Sequence, residues 1–473
     1  MPTTTFTTRS GRVVGTLACL PLALGALAAC GGSSGGSGTP SASGAASSAA
    51  GAATSAAGAA TSAAGGASSA AAGAGGGTAS DTGVTATTVT IGTHTPLTGP
   101  AAAGYSKISA AQTAYFKYVN SQGGIDGRTI ELKVEDDSYS PAKTDAVVKK
   151  LVLQDKVFGI LSGLGTPTHS NVVDFLAQQE VPDLFVASGS LNWNKPADLP
   201  TTFGWQADYR IEGKVFGDYI KKNLADKKTC VFGQADDFGK DGLSGVEKTL
   251  GADKIADRQT YTPTNPDFSA QVGSMKGKGC QVVVAFTTPS FTALLLGTGA
   301  KAGFTPQYLV SNVGSDYTTL SSRLMAAAPA LTEGIVSNSY MPFPDDASNP
   351  WITLFKMVND KYNGGVPFDG NVEYGMANAY TFLQALKAAG PNPTRKAIVA
   401  AIEDKGKTFT GPGLVPFRFS ADDHSGYSGV RLGKFSGGKV TPIGNPVTTG
   451  DGDEPLTDYT TPQPAPPANG IPQ

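Results

Sequence analysis

The chain has 473 residues, a formal net charge of −2 and four cysteines. Residues 31–80 are drawn only from Gly, Ala, Ser, Thr and Pro, so that stretch has little with which to offset the entropy of ordering. Arg9 and Arg12 are the only charged residues before Asp81, leaving 34 bases against 38 acids afterwards. That balance argues against a nucleic-acid binder, and four cysteines with three scattered histidines leave little material for a zinc site.

Arg9 and Arg12 precede a 17-residue apolar run, Val13–Ala29, which contains Pro21 and leads into the polar tract. It is shorter than the ~20 residues of a membrane span and has the layout of an export signal. The run ends Leu27-Ala28-Ala29-Cys30, which resembles a bacterial lipobox and makes Cys30 the expected lipidation site. Cys19 lies mid-run, too early to follow a full apolar segment. Acyl chains on Cys30 would hold the protein at the extracytoplasmic face of the cell membrane. Residues 1–30 are therefore read as a lipoprotein signal peptide and 31–83 as a disordered tether, its Gly/Ser-rich part reaching roughly 40 Å. Residues 446–473, rich in proline and poor in apolar groups, read as a disordered tail.

From Val84 the texture changes. Strand-like runs at 89–92, 130–134, 158–161 and 183–186 alternate with helical spacing over 106–120, 141–154 and 168–179. After an extended aromatic stretch, Phe203–Tyr209, a second series follows. Its strands are expected at 229–232, 256–261, 281–286 and 308–311, with helices over 240–250, 268–278 and 292–302. Helices near 349–362, 371–389 and 394–404 and strand-like pieces at 415–419 and 430–435 complete the body. The fold class is α/β, with two doubly wound parallel-sheet lobes joined by a multi-strand hinge. Lobe one takes 84–205 plus 340–425, and lobe two takes 206–339 plus 426–445.

In such sheets a ligand sits outside the strand C-termini. That rule selects 96–105, 163–169 and 187–193 in lobe one, and 233–239, 287–291 and 311–316 in lobe two. Around 163–169, Thr166 fits an N-cap and Pro167 the first helical position, so free N–H groups would face the crevice and suit a carboxylate. An ordinary helix cap is the plainer reading. Trp193, Trp205 and Tyr209 fall in or near the crevice and read first as packing between lobes.

Enzyme signatures are missing from the folded body. Gly92-Thr-His-Thr-Pro96 is not a dinucleotide loop, Gly406-Lys-Thr408 lacks the earlier glycine of a phosphate loop, and the one Gly-x-Ser-x-Gly match, Gly31–Gly35, falls in the tether. His94, His169 and His424 lack metal-ligand spacing. His169, beside the crevice, reads as an exposed first-turn residue, and Asp136-Asp137 as a water-facing pair. No catalytic residue, cofactor or metal is expected.

The order and spacing of several segments carry a resemblance. These are Pro96-Leu-Thr-Gly-Pro100, Gly123-Gly-Ile-Asp-Gly-Arg128, Val134-Glu-Asp-Asp137 with Pro141-Ala, and Leu151–Asp155. They continue with Gly165-Thr-Pro-Thr168, Val181-Pro182, Ala187-Ser-Gly-Ser190, Asp237-Phe-Gly239, Asp267-Phe-Ser269 and Glu333-Gly334. Over about 86–440 the chain resembles the periplasmic leucine/isoleucine/valine-binding proteins, the receptors of branched-chain amino acid ABC importers. The resemblance implies a two-lobe flytrap with three hinge strands that closes on a small ligand and presents the closed lobes to a permease. It puts Thr166 where the family holds the ligand carboxylate, Ser188 and Ser190 in the next contact loop, and Tyr105 near a tyrosine that walls the pocket. Phe238 stands where the family usually has a tyrosine. Asn312 stands where the family fixes an amino-acid ammonium with an acid, the nearest acid being Asp316; Asp236 or Asp237 could substitute. The ligand is therefore open between an α-amino acid and a small polar molecule such as an amide or an aromatic or aliphatic acid. A ligand-sensing module for a signalling partner is the alternative function.

Cys230 and Cys280 each begin a strand. In the usual 2-1-3 strand order those strands are neighbours, placing their ends within a bridging range of ~5.5–6 Å. An exported compartment permits a disulfide; two free thiols are the alternative. The chain is expected to act as a monomer.

Overall fold

The computed structural model describes residues 77–473. The signal segment, Cys30 and the tether up to residue 76 lie outside the described residues.

Lobe one is built on five parallel strands: β1 (Thr88–Thr95), β2 (Thr129–Asp136), β3 (Ile160–Leu161), β4 (Asp183–Val186) and β5 (Thr202–Gly204). Their order is β2-β1-β3-β4-β5, with β1 and β2 paired from Thr88↔Thr129 to Thr95↔Asp136. Lobe two carries β6 (Thr229–Gln234), β7 (Ile255–Tyr261), β8 (Val282–Phe286), β9 (Gln307–Val310), β10 (Val336–Ser339), β11 (Gly429–Ser436), β12 (Lys439–Thr448) and β13 (Thr457–Asp458). From the far edge the order is β7-β6-β8-β9-β10, all parallel, continued by antiparallel β11, β12 and β13. Central β8, Val-Val-Val-Ala-Phe, is buried along its whole length, as a strand covered on both faces must be; edge strand β7 carries Asp257 and Arg258. In each sheet the first strand sits between the second and third. The two switch points, β1/β3 and β6/β8, mark where a crevice opens.

The chain crosses between lobes after Gly204, after Ser339 and before Gly429. Each crossing contributes an aromatic ring to one cluster. Trp205 packs against Tyr427 at 5.4 Å and Tyr340 at 5.8 Å, Tyr340 stacks on Tyr427 at 5.2 Å, and Tyr374 meets Trp205 at 4.7 Å. The Tyr427 N–H also donates to the Trp205 carbonyl at 3.1 Å.

Several expectations change. Residues 209–223, of which only Tyr209 falls in the aromatic stretch and the rest belong to no expected element, form a helix capped by Asp208. The helix expected over 168–179 is two pieces, Thr166–His169 and Val173–Gln178. The strand expected at 415–419 is reduced to one isolated bridge, Phe417↔Tyr427.

The C-terminal segment is not a free tail. It leaves β12 and β13 in lobe two and returns to lobe one. There Trp351 Nε1 donates to Pro464 O at 2.7 Å, Tyr118 to Asn469 O at 2.7 Å and Tyr115 to Gly470 O at 2.6 Å, and Ile471 is buried. Proline-rich chain presents unpaired carbonyls, and these aromatic donors satisfy them. The end of the expected tether is also seated. Ser80 Oγ donates to Pro393 O at 2.6 Å, and the Arg395 N–H to Asp81 Oδ2 at 2.7 Å.

Cys230 in β6 and Cys280 just before β8 have Cα atoms 5.9 Å apart, and the strands that carry them are direct neighbours.

Candidate ligand-binding site

A cavity of about 360 Å³ lies between the two switch points and is lined from both lobes. All six segments selected by the strand-end rule contribute to it: Tyr105, Thr166 and Ala187 from lobe one, Phe238, Thr288 and Asn312 from lobe two. The lobes are closed upon it. Tyr105 donates to the Val313 carbonyl at 2.8 Å, Gln234 Nε2 to Tyr139 at 3.3 Å, and Asn371 Nδ2 to Thr319 at 3.3 Å.

Thr166 opens its short helix, but it is not the cap. Gly165, at φ 102°, is the cap, and a Cβ there would meet Thr168 Oγ1 and Tyr139 at 2.5 Å. Released from capping, the Thr166 hydroxyl faces the cavity wall and shares a hydrogen bond of 2.8 Å with Ser188 Oγ. Tyr209 in turn donates to Ser188 at 3.4 Å, and burial pushes the Tyr209 phenol up to about 12. Ser188 therefore stands behind Thr166 rather than on the cavity surface.

Ser190 is elsewhere. Its hydroxyl caps the turn Leu191–Trp193 and donates to Asp241 of lobe two at 3.1 Å. The Leu191 N–H reaches the same carboxylate oxygen at 3.0 Å, and Asn192 Nδ2 donates to Asp237 at 2.8 Å. This loop latches the lobes beside the cavity.

Phe238 is cavity wall and core at once, 4.4 Å from Tyr209 and 6.0 Å from Phe286 between ring centres. Asn312 lines the cavity, yet its side-chain Nδ2 turns to Asn338 O at 3.4 Å, and its N–H donates to Glu212 Oε2 at 3.0 Å. Glu212 is buried in the helix Tyr209–Asn223, and desolvation raises its carboxyl to about 7; Asp208 beside it is raised to about 7 by the same cause. Neither alternative acid lines the cavity. Asp236 caps the helix Asp237–Leu250 and accepts from Gln234 Nε2 at 2.6 Å, while Asp237 pairs with Lys240 at 3.0 Å. Asp316 does line it, and accepts from the Thr319 N–H at 2.7 Å and the Gly370 N–H at 3.2 Å.

Trp193 and Trp205 pack away from the cavity. Trp193 lies edge-on to His169 at 5.0 Å, and Trp205 Nε1 donates to Thr381 at 3.0 Å. His169 is buried, not exposed. It joins a chain in which Asp137 Oδ2 meets His94 Nδ1 at 2.8 Å, His94 Nε2 meets His169 Nδ1 at 2.9 Å, and His169 Nε2 meets Asp183 Oδ2 at 2.7 Å. All four side chains are fully buried, which also removes Asp137 from the water-facing pair. Desolvation lowers the His94 pKa against the pull of Asp137. The chain ties the ends of β1 and β2 and the start of β4 to the 166–169 turn, so it supports the cavity wall from behind.

Sequence reasoning did not reach Glu373, Gln206 or Tyr374. All three line the cavity, and Tyr374 donates to Gln206 Oε1 at 3.3 Å. Glu373 falls in the first turn of the helix Gly370–Ala388; a buried acid there had a weak signal, the lone charge in an otherwise apolar helix start.

Two α/β lobes, each built on a sheet with a parallel core, enclose an interlobe cavity of a size suited to a small ligand. The chain belongs to the periplasmic binding protein family, which it matches over residues 88–439. It is 27% identical over 333 residues to the Leu/Ile/Val-binding protein homolog 1 of Brucella abortus, covering 68% of this chain and 85% of that one. A branched chain amino acid ABC transporter protein from Thermus thermophilus with bound valine shares the fold, with a TM-score of 0.68 and 21% identity, over 77% of this chain and 97% of that one. So does a fatty acid ABC transporter substrate-binding protein from Thermomonospora curvata, with a TM-score of 0.69 and 22% identity, over 80% of this chain and 98% of that one.

Proposed function

We propose that this chain is the extracytoplasmic solute receptor of an ABC importer, closing its lobes on a small polar or carboxylate ligand of the branched-chain amino acid class. The observation that carries this reading is the cavity lined from both lobes at the two switch points. Binding there stabilises the closed form, because a ligand that touches both lobes has differential affinity for it. The permease then meets the closed lobes. In this reading Thr166 holds the ligand carboxylate with its hydroxyl and the free N–H groups of its turn, Tyr105 and Phe238 are walls, and Asn312 contributes its backbone. Ser188 orients Thr166, and Ser190 serves closure rather than contact. The relative named for leucine, isoleucine and valine supports an aliphatic amino acid. The protein acts as a monomer, anchored through lipid on Cys30 after removal of its signal peptide, with Cys230 and Cys280 joined as a disulfide.

A second ligand class has its own support. Ile108, Val313, Met341, Phe343 and Phe368 give the cavity a largely apolar lining beyond the Thr166 end. With a fatty-acid receptor among the similar folds, a longer aliphatic acid is the competing ligand. Thermal-shift screening of the folded body separates the two. A strong rise with leucine, isoleucine or valine and none with medium-chain fatty acids supports the first reading. The reverse supports the second, and no response to either rejects both.

A further inference from the structure

The polar groups of the cavity are mostly spoken for. Asp316 is held by Thr319 and Gly370, and Thr166 by Ser188. Among the described lining residues four buried polar atoms are not, Gln206 Nε2, Thr288 Oγ1, Asn338 Nδ2 and one carboxyl oxygen, that of Glu373. Its side chain is 1% exposed and lines the cavity, and its Oε1 has no hydrogen-bond donor. A buried carboxyl without a donor costs free energy, and in a native site such a group calls for an explanation. Lys356 lines the same cavity without forming an ion pair with Glu373; its ammonium lies over the Phe368 ring, 5.5 Å from the centroid.

The surroundings favour a positive partner. Burial holds the Glu373 carboxyl well above the usual range. Lys356 opposes this, while Asp316, Asp346 and Asp369 add to it. Lys107 is already committed to Asp369, at 2.5 Å. Lys356 is then left to oppose Asp316, Asp346 and Asp369 around Glu373, while Lys439, the other lysine of the described lining, is exposed. Gln206 Nε2 is one of the donors among the unpartnered atoms.

Resting on the reading of the cavity as the ligand site, we propose that Glu373 is the acceptor for a protonated amine of the ligand. This position is on the helix Gly370–Ala388, not on the 311–316 loop where an acid was expected. The ligand is then a molecule that carries an ammonium as well as an acidic or amide group, and a simple fatty or aromatic acid is excluded. Gln206 Nε2 donates to an oxygen of the same ligand.

The test is calorimetry on the full chain with matched probes: L-leucine against 4-methylpentanoate, and 6-aminohexanoate against hexanoate. In the wild-type protein at least one amine-bearing member binds about tenfold or more tighter than its deaminated partner, the scale of a hydrogen bond to a charged group. Glu373→Gln abolishes that preference. Equal affinity within both pairs, or tighter binding of the deaminated acids, overturns the assignment while leaving the receptor reading intact; that comparison needs no variant. A preference that survives Glu373→Gln also overturns it. No binding of any of the four compounds overturns the assignment and the receptor reading of this cavity together.

Discussion

In the proposed reading, Thr166 touches the ligand and Asp241 serves closure. Thr166 faces the cavity, so Thr166→Val removes a hydroxyl from the ligand and weakens binding by about 1–2 kcal/mol, read by calorimetry. An unchanged Kd would take Thr166 out of the site. Asp241 does not line the cavity, yet it holds Ser190 and the Leu191 N–H across the lobes. Asp241→Asn therefore lowers the closed population and weakens every ligand by the same factor, whereas Thr166→Val discriminates between ligands with and without a carboxylate. Gly163 is constrained from behind the wall. A Cβ there would meet His169 Nδ1 and lie 2.6 Å from His94 Nε2, so Gly163→Ala breaks the buried Asp–His–His–Asp chain. Its expected cost is about 2–4 kcal/mol, read by chemical denaturation; a change below about 0.5 kcal/mol, within the ordinary scatter of surface substitutions, would show that the chain is not structural. Asp208 and Glu212 supply a pH signature. Both are raised to about 7 in the fold, against carboxyls that titrate near 4 once unfolded. Between those values the folded state binds more protons, so this part of the stability is fully present below pH ~4 and lost as pH rises through about 7. Denaturation at pH 5 and pH 7.5 reads the difference, which shrinks in Glu212→Gln.

The helix Tyr209–Asn223 shows why some elements are hard to read from sequence. It buries Glu212 and Lys214 and carries Gly213 and Gly217, so propensity marks it weakly even though Ile211, Val215, Tyr219 and Ile220 keep a helical spacing. Each exception has a partner elsewhere. Glu212 receives the Asn312 N–H. Lys214 Nζ donates to Thr449 Oγ1 at 2.7 Å and to the carbonyls of Gly450 at 2.8 Å, Gly452 at 3.0 Å and Glu454 at 2.9 Å. The glycines allow close approach of the helix Asp237–Leu250, since a Cβ on Gly213 would meet the Gly242 carbonyl. β5, β10, β12 and β13 were not read, but β1–β4, β6–β9 and β11 were legible for the opposite reason. Short runs such as Val282–Phe286 are apolar throughout and bounded by turn residues, a local signal that tertiary structure leaves intact. The cavity was half legible. Strand-end loops follow from topology, while Glu373 and Gln206 come from helix and hinge positions that no local pattern ties to a site. At this scale the cysteine pair is also testable. With Cα atoms 5.9 Å apart at the ends of adjacent strands, Cys230 and Cys280 should resist alkylation in the unreduced protein, and mass spectrometry showing two modified thiols would refute the bond.

Across the whole molecule, closure is opposed or assisted by what crosses between lobes. Three crossings bring Trp205, Tyr340 and Tyr427 into one cluster, and the C-terminal segment makes a fourth, from Lys214 of lobe two to Trp351 and Tyr115 of lobe one. Truncation after Asp458 removes that strap. It should lower the melting temperature by several degrees and widen the apo form, seen as a larger radius of gyration; an unaltered melting curve would make the segment dispensable. The central claim, that a small guest draws two lobes together over the cavity, is tested most directly by small-angle X-ray scattering of the full chain with and without the compound giving the largest thermal shift. The expected result is a smaller radius of gyration with ligand, and a smaller response at equal concentration in Asp241→Asn. A scattering profile that does not change at saturating ligand would contradict it.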